Sequence, residues 1–596
     1  MLATCKQKLS ALKLSRNTRT WHHISSCEMS SSRQNQAVAT QDPANNVKPL
    51  VDALGQMAVP FAHAKLGSFF QARPVLHNQY LQDSLLVSYL RRHVSTEHWT
   101  SISADLEQFG DRVAGEIYNL SLQMEAEQPR LEQIDAWGNR VDQLITSSAW
   151  KKMKEISAEE GLIACGYERK YGEWSRLYQI AKFYLFEPSG GLYGCPLAMT
   201  DGAAKTLELY KNEFPALYER AFTRLTSRDP KIFWTSGQWM TEKQGGSDVA
   251  RGTETIAVAQ PDGSYKLFGY KWFSSATDAD MSLTLARVVG QDGSVLELSE
   301  EGRGVASMAN MLTLTRIHTA MGAASAMRRI VTLARDYATR RVAFGKLLHR
   351  QTLHVHTLAG MEVETRAAAI FVFEISRLLG RQEVLPRDKT LEAESEVLRL
   401  LVPLAKLYVS KQAVAVVSEG LESFGGQGYI EDTDLPRILR DTQVNAIWEG
   451  TTNILSLDVL RAINKSAGSV LNHFRNSVLA LISSAKEHQD LQAPACRVEK
   501  AMQDVLQFAT KLPQNCVEMA AREFAYSLAR IYMGALLLEH AGHHGATPSD
   551  VYTAQRWCEK DLSPLCTHGD NGSFTEGSHK GNMELIFDGY LEKSRL

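Results

Sequence analysis

Residues 240–248 read Met240-Thr241-Glu242-Lys243-Gln244-Gly245-Gly246-Ser247-Asp248, just after the point near residue 235 where the chain changes from helical to strand periodicity. Paired glycines let a backbone approach a ligand closely. Thr241 and Ser247 add hydroxyls beside turn amides that can donate to a phosphate or a polar ring edge. Such a loop is more often a plain turn than a site, so its meaning depends on the rest of the chain.

The apolar pattern on either side of this loop predicts a small β-domain inserted between helical domains. From about 50 to 235, and again from about 305 to 545, apolar residues recur at spacings of three and four, as in Leu106, Phe109, Val113 and Ile117. Pro403 predicts a kink or irregularity in the helix marked by residues 398–405, a separate helix is predicted from about 408, and the Gly/Ser/His-rich stretch 562–583 predicts a loop. The predicted strands are 255–260, 264–273 and 283–289.

This pattern gives a predicted domain order. The predicted domains are a targeting segment and flexible arm (1–48), an N-terminal helical domain (49–235), a middle β-domain (236–304), a C-terminal helical bundle (305–465) and an additional helical domain with a tail (466–596).

Charge, cysteine spacing and apolar content argue against several classes of function. The 596 residues carry a net charge of −2, with 44% hydrophobic and 22% charged residues, which is ordinary for a globular protein. Residues 470–596 hold 12 Lys and Arg against 15 Asp and Glu, so nucleic-acid binding is not expected. The eight cysteines lack metal-site spacing, and no uncharged apolar run is long enough to span a bilayer. We therefore predict neither a metal site nor a transmembrane segment.

The two ends carry different targeting signals. Residues 1–27 contain several Lys and Arg, are rich in Ser and Thr, and have no acidic residue before Glu28, as in a mitochondrial transit peptide. The last three residues, Ser594-Arg595-Leu596, are a close variant of the peroxisomal Ser-Lys-Leu signal. We expect the mitochondrial matrix, with the peroxisome as the alternative.

Two further segments could contact a flat or phosphorylated ligand. Trp272, in Lys-Trp-Phe-Ser-Ser, could flank a heterocycle or simply belong to the core. Arg341, in Arg-Val-Ala-Phe-Gly-Lys, has the planar fork that suits a diphosphate, although a solvated helix end is the plainer interpretation.

The last two segments lie near the end of the helical bundle. Residues 422–429 are glycine-rich but follow a helix, so they are not a dinucleotide-binding fingerprint. Glu449 lies in Ile-Trp-Glu-Gly-Thr-Thr-Asn, among apolar residues and before a predicted helix. Apolar neighbours would raise the Glu449 pKa toward that of a useful base, whereas many carboxylates at helix starts only complement the dipole.

The order and spacing of these segments resemble the acyl-CoA dehydrogenase family over about residues 150–465. Lys243 stands where many members have proline, and Trp448 where many have tyrosine. These features, with an extended N-terminus and an extra C-terminal region, resemble the branch of the alkylation-response flavoproteins. Residues that match this branch are Pro129, Leu131, Asp135, Trp137, Gly138, Arg140 and Asp142.

The resemblance implies a mainly α fold with an inserted β-domain and FAD held across a subunit interface. Glu449 would be the catalytic base that yields a trans-2-enoyl-CoA, and Arg316 would lie near the substrate. An acyl-CoA substrate, an electron-transfer flavoprotein and a homodimer or homotetramer would be its partners. The implied cofactor contacts are Met240 and Thr241 on the isoalloxazine, Trp272 and Ser274 flanking it, Ser247 on pantetheine or a phosphate, Arg341, Phe344 and Gln351 on the ADP half with Glu422 and Gly426 from a neighbouring subunit, and Thr451 and Asn453 closing the site.

The chain departs from the family between Val289 and Glu300, where about 40 to 50 residues, enough for three or four strands, are missing. A shortened β-domain would expose sheet edges and could weaken FAD binding. Two other functions stay open. One is a peroxisomal acyl-CoA oxidase, and the other is a non-catalytic acyl-CoA or fatty-acid binding protein, which includes an inactive splice form.

Overall fold

The computed structural model describes residues 72–289, 295–296 and 308–590. The transit-type segment and the terminal Ser594-Arg595-Leu596 lie outside these residues, as does most of the segment between Val289 and Glu300 where the chain departs from the family. All described residues belong to one unit, Gln71–Leu596.

Helices form the N-terminal region, and their apolar stripes point into a shared core. Leu106, Phe109, Val113 and Ile117 are fully buried, as their spacing predicts. A hairpin of two exposed strands interrupts the helices, with Trp137 at its turn. The elements are α1 (Ser84–His93), α2 (Thr96–Arg112), α3 (Tyr118–Ala126), β1 (Arg130–Ile134), β2 (Arg140–Ile145), α4 (Ser148–Glu159), α5 (Ala164–Glu168), α6 (Ser175–Phe186) and α7 (Gly194–Leu209).

The described residues of the middle region form six short strands in two small sheets. β3 pairs in parallel with β6, and a second sheet has the order β5-β4-β7-β8. In this second sheet β4 pairs antiparallel with β5 and parallel with β7. The strands are β3 (Ser236–Trp239), β4 (Ile256–Ala259), β5 (Tyr265–Phe268), β6 (Met281–Thr284), β7 (Arg287–Val289) and β8 (Val295–Leu296).

Three long helices form the centre of the protein, with a small hairpin between the first two. They are rich in Ala, Leu and Val, and most of their length is buried. Within the described part of the chain, α10 alone is long and apolar enough to pass for a bilayer span, but 78% of that window is buried inside the protein, as in a core helix. The elements are α8 (Ala309–Arg340), β9 (Val342–Ala343), β10 (Lys346–Leu347), α9 (Thr352–Val384) and α10 (Lys389–Ser423).

The remaining helices complete the bundle and add a C-terminal helical region. α12 contacts both α10 and α15, which joins the two parts through buried side chains such as Leu455 and Val459. The elements are α11 (Leu435–Asn445), α12 (Thr452–Lys465), α13 (Ser469–Leu481), α14 (Gln492–Lys511), α15 (Val517–Ala541), α16 (Pro548–Cys558), α17 (Pro564–Asp570) and α18 (Glu576–Phe587).

The structure corrects several predicted elements. The helix predicted around residues 398–405 and the one predicted from about 408 are a single helix, α10, and its buried side chains hold it continuous around Pro403. The predicted loop at 562–583 contains two helices, α17 with Pro564 in its first turn and α18 capped by the Thr575 hydroxyl. The predicted strand 264–273 ends at Phe268, and the predicted strand 283–289 is divided between β6 and β7.

Candidate active site

Glu449 lies in the turn between α11 and α12. Its backbone is in the left-handed region, with φ of 56°, and the following Gly450 has φ of 102°. A residue other than glycine is strained in the left-handed region, and such strain is concentrated at functional sites. Thr451, the next residue, has extended backbone and precedes the first turn of α12. The turn directs the carboxylate toward α8.

The Glu449 carboxylate is buried against α8 and α10. The Thr315 hydroxyl donates to Glu449 Oε2 at 2.7 Å, and Arg316 Nε donates to the Glu449 carbonyl at 3.3 Å. Burial raises the pKa of Glu449, and the Thr315 hydrogen bond, Arg316 and Lys406 oppose that rise. A carboxylate with a raised pKa and a retained anionic form has the properties of a general base.

Arg316 is held in place by a buried carboxylate on α12. Its Nη1 lies 2.8 Å from Asp458 Oδ2, and Arg399 of α10 lies 2.8 Å from the other oxygen. Burial alone would raise the pKa of Asp458, but the Arg399 hydrogen bond and the two guanidinium charges hold it below its usual value. Arg316 is therefore fixed beside Glu449, where the sequence predicts it.

The loop 240–248 is fixed by a buried ion pair. Glu242 accepts from Lys271 Nζ at 2.6 Å and from the Thr255 hydroxyl at 2.6 Å. Burial would raise the pKa of Glu242, but these hydrogen bonds lower it to about 2. The Trp272 amide donates to the Thr241 carbonyl at 2.9 Å, so the loop and the tryptophan segment lie side by side.

This pairing brings four predicted cofactor residues into one group. Met240, Thr241 and Ser274 are half-buried, and the Trp272 side chain is 49% exposed with Lys243 5.4 Å from its ring centroid. An open aromatic face beside hydroxyls and turn amides can flank a flat ring. Ser247 lies on the exposed part of the loop.

A second group surrounds a cavity of about 530 Å³ at the end of α10. Arg341, Glu422 and Gly426 line it together in a single chain. The contribution of Glu422 and Gly426 from a neighbouring subunit stays a prediction, although β9 and the end of α10 meet within one chain. Among the described residues, the Arg341 guanidinium has no hydrogen-bond or ion-pair partner.

The remaining predicted residues lie at the edges of these groups. Gln351 donates to the Ala343 carbonyl at 2.9 Å and braces the β9–β10 hairpin. Phe344 is 99% exposed at the turn of this hairpin and is not among the residues that line the cavity. Thr451 and Asn453 are exposed at the start of α12, where Asn453 accepts from Arg522.

Sequence reasoning missed several residues of the site. The missed residues are Thr315, Lys406 and Glu242, which hydrogen-bond Glu449, Gly450 and Lys271 respectively. Thr315 is 134 residues from Glu449 in the chain, so their contact arises from helix packing. Glu242 and Lys271 both lie inside the segments singled out from the sequence, where an acid in one segment and a base in the other could have indicated an ion pair.

Comparison with known proteins identifies three matched regions. Residues 72–229 match the adaptive response protein AidB N-terminal domain, residues 302–464 the acyl-CoA dehydrogenase C-terminal domain, and residues 469–587 the acyl-CoA dehydrogenase 11 C-terminal domain-like family. The segment between residues 229 and 302, which holds the β-domain, is not part of these three matches.

The chain is similar over nearly its whole length to acyl-CoA dehydrogenase family member 11 of Caenorhabditis elegans. The two are 44% identical over 601 residues, which covers 90% of this chain and 96% of the relative. The aligned length exceeds this 596-residue chain although a tenth of the chain is left out, so the relative has residues without a counterpart here.

Two solved structures share the fold. The crystal structure of C. elegans ACDH-11 in complex with C11-CoA superposes with a TM-score of 0.83 at 43% identity, covering 89% of this chain and 98% of that one. An acyl-CoA dehydrogenase from Bacillus anthracis complexed with FAD has a TM-score of 0.62 at 18% identity, covering 86% and 94%, and shows the fold alone. The chain belongs to the acyl-CoA dehydrogenase family of enzymes, and it resembles the AidB-like members of that family.

Proposed function

We propose that the chain oxidises a fatty acyl-CoA thioester to the trans-2-enoyl-CoA, with Glu449 as the base. The surroundings of Glu449 carry this proposal. A buried carboxylate hydrogen-bonded by Thr315, beside Arg316 and with a raised pKa, can accept a proton from a carbon acid.

The residues present fit FAD in two places. Arg341 offers an unpaired guanidinium on the wall of a cavity large enough for a nucleotide half. Trp272, Met240 and Thr241 offer an open flat face with polar neighbours. FAD, when bound, would accept the hydride from the substrate β-carbon.

The two groups of residues are separate in the structure, because those that line the Arg341 cavity do not include those of the Trp272 group. The family resemblance implies a shared site, and we propose that a single FAD takes its ADP contacts from one subunit and its ring contacts from another. We propose a homodimer, or a homotetramer of such pairs.

The chain's own residues would supply proton transfer and orientation. Glu449 Oε2 would receive the α-proton, while Arg316 and the Thr315 hydroxyl keep the carboxylate anionic before the transfer. Bound substrate and FAD would cover this half-buried turn, and the exclusion of water would strengthen both interactions. The related C. elegans structure holds C11-CoA, so we take a medium-chain acyl-CoA as the first substrate to test.

The test is Glu449→Gln, which keeps the size of the side chain but removes the base. We expect turnover with C11-CoA to be lost by roughly a thousandfold or more, with FAD content unchanged, because general-base catalysis contributes about 10²–10⁴-fold. An active Gln variant would refute the assignment. An electron-transfer flavoprotein and oxygen, offered as alternative acceptors to the wild type, separate a dehydrogenase from an oxidase.

A second candidate, an acyl-CoA binder without turnover, is favoured by β5. Leu267 and Phe268 of this strand are 54% and 55% exposed although they point to opposite faces. A β-domain with this much uncovered apolar surface could fail to retain FAD. Stoichiometric acyl-CoA binding by a colourless protein would support this candidate over the dehydrogenase.

A further inference from the structure

We propose that Lys406 is a positioning residue for Glu449, because its ammonium group holds the Gly450 carbonyl and thereby fixes the turn that aims the catalytic carboxylate. The inference rests on the proposed function. It concerns a residue outside the segments that the family resemblance picks out.

Lys406 lies in the middle of α10 with 0% of its surface exposed. Its Nζ donates to the Gly450 carbonyl at 2.5 Å, and within the described residues this carbonyl is its hydrogen-bond acceptor. Burying an ammonium group costs several kcal/mol, and one neutral acceptor does not offset that cost. Packing alone would be served better by leucine or methionine, so a role in the turn is the better explanation.

Two cations hold consecutive carbonyls of the same strained turn. Arg316 of α8 donates to the Glu449 carbonyl, and Lys406 of α10 donates to the Gly450 carbonyl. Glu449 and Gly450 both have positive φ. A residue other than glycine keeps this conformation only when its surroundings enforce it. Because α8 and α10 pack against each other, the two donors clamp the turn to the rigid centre of the protein.

Lys406 also acts on the charge of Glu449. The charged groups that face it are Glu449 from the turn and Arg316 from α8, while Asp458 of α12 is already bound to Arg316 and Arg399. Burial lowers the pKa of Lys406 to about 7, Glu449 opposes this and Arg316 adds to it. In its charged form Lys406 lowers the pKa of Glu449.

The experiment measures proton abstraction without electron transfer. An acyl-CoA analogue with sulfur at the β-position has no β-hydride to lose, so exchange of its α-hydrogens in D2O reports on the base alone. Wild type, Lys406→Met and Lys406→Arg holoenzymes are compared for exchange rate, analogue affinity and FAD content across pH. The matched control is Lys182→Met, which removes another buried lysine, bound to Glu160.

We expect Lys406→Met to slow exchange on the order of ten- to a hundredfold, because small misplacements of a catalytic group have effects of that size. The acid limb of its pH profile should move to higher pH, since a positive charge that favours the Glu449 anion is gone. Analogue affinity should change by less than about threefold, since Lys406 does not touch the ligand. Lys406→Arg should restore most of the rate, and Lys182→Met should match wild type.

A Lys406→Met enzyme with the wild-type rate and acid limb would overturn the inference. If that variant does not fold, Lys406→Gln, which keeps a donor but not the charge, must still show the raised acid limb, and a wild-type profile overturns the inference equally. Absence of exchange in the wild type, by contrast, refutes the proposed function itself.

Discussion

Removal of the Thr315 hydroxyl tests the base assignment without touching the base. Thr315→Val keeps the shape of a side chain that is buried on α8, and it deletes the 2.7 Å hydrogen bond to Glu449 Oε2. A hydrogen bond to a charged group contributes about 1.5–3 kcal/mol, which corresponds to roughly ten- to a hundredfold in the ratio of ionised to protonated carboxyl.

The expected effect depends on pH in a defined direction. The Thr315 bond favours the anion, so its loss raises the pKa of Glu449 further. Only ionised Glu449 accepts a proton, so kcat/KM of the variant should fall about ten- to a hundredfold on the acid limb and approach the wild-type value at high pH. Steady-state assays with C11-CoA and a dye acceptor, from pH 5 to 9.5, measure this.

Two controls isolate the hydroxyl. Thr315→Ser keeps the donor and should retain the wild-type acid limb. Thr319→Val, one turn along α8, removes a buried hydroxyl that bonds only the Thr315 carbonyl, and should leave the limb in place. A Thr315→Val profile lowered equally at every pH would refute the reasoning, because it would indicate lost packing rather than a shifted carboxyl pKa.

Three further predictions concern cofactor sharing, stability and targeting. Arg341→Ala and Trp272→Ala should each lose FAD, whereas co-expressed chains should recover about a quarter of the sites, since each mixed dimer has one intact site; no recovery would contradict a site shared in this way. Burial, and to a smaller extent the negative charge of Asp441, raises the pKa of Glu187 to about 8. The folded state therefore binds this proton more tightly and loses stability as pH rises from 4.5 to about 8, so Glu187→Gln should raise the thermal midpoint at pH 8 but not at pH 4.5. An equal shift at both pH values would exclude this cause. Imaging of the chain with each end masked separately tests the proposed mitochondrial and peroxisomal signals. The dual-targeting hypothesis is refuted if masking only one of the two ends changes the localisation.

The sequence predicts those parts of the site that are local. Glu449 can be identified because Ile447, Trp448 and Gly450 surround it in the chain, although burial against helices distant in sequence, rather than the exposed Ile447, is what raises its pKa. Thr315 and Lys406 reach Glu449 through the packing of α8 and α10, which periodicity predicts only as buried faces. A lysine inside an apolar stripe gives no sign of which carbonyl it will meet.

The errors in secondary structure have the same origin. Pro403 weakens a helix locally, but the buried neighbours in α10 outweigh one missing hydrogen bond. In the C-terminal region, glycine, serine and histidine lowered the apparent helix propensity of residues 562–583. The start signals were nevertheless present, with Pro564 in the first turn of α17 and Thr575 as the cap of α18.

The two halves of the proposed chemistry depend on different parts of the chain. Glu449 and the neighbouring Gly450 are held by donors from α8 and α10, which belong to the helical bundle. The ring-flanking residue Trp272 belongs to the β-domain, whose strand β5 is exposed on both faces. A sheet strand normally buries at least one face, so additional strands would be needed to cover β5. We therefore expect shortening to affect the flavin-binding half rather than the proton-abstracting half. A colourless preparation of this chain would report on the β-domain, while the role of Glu449 would still be decided by proton exchange.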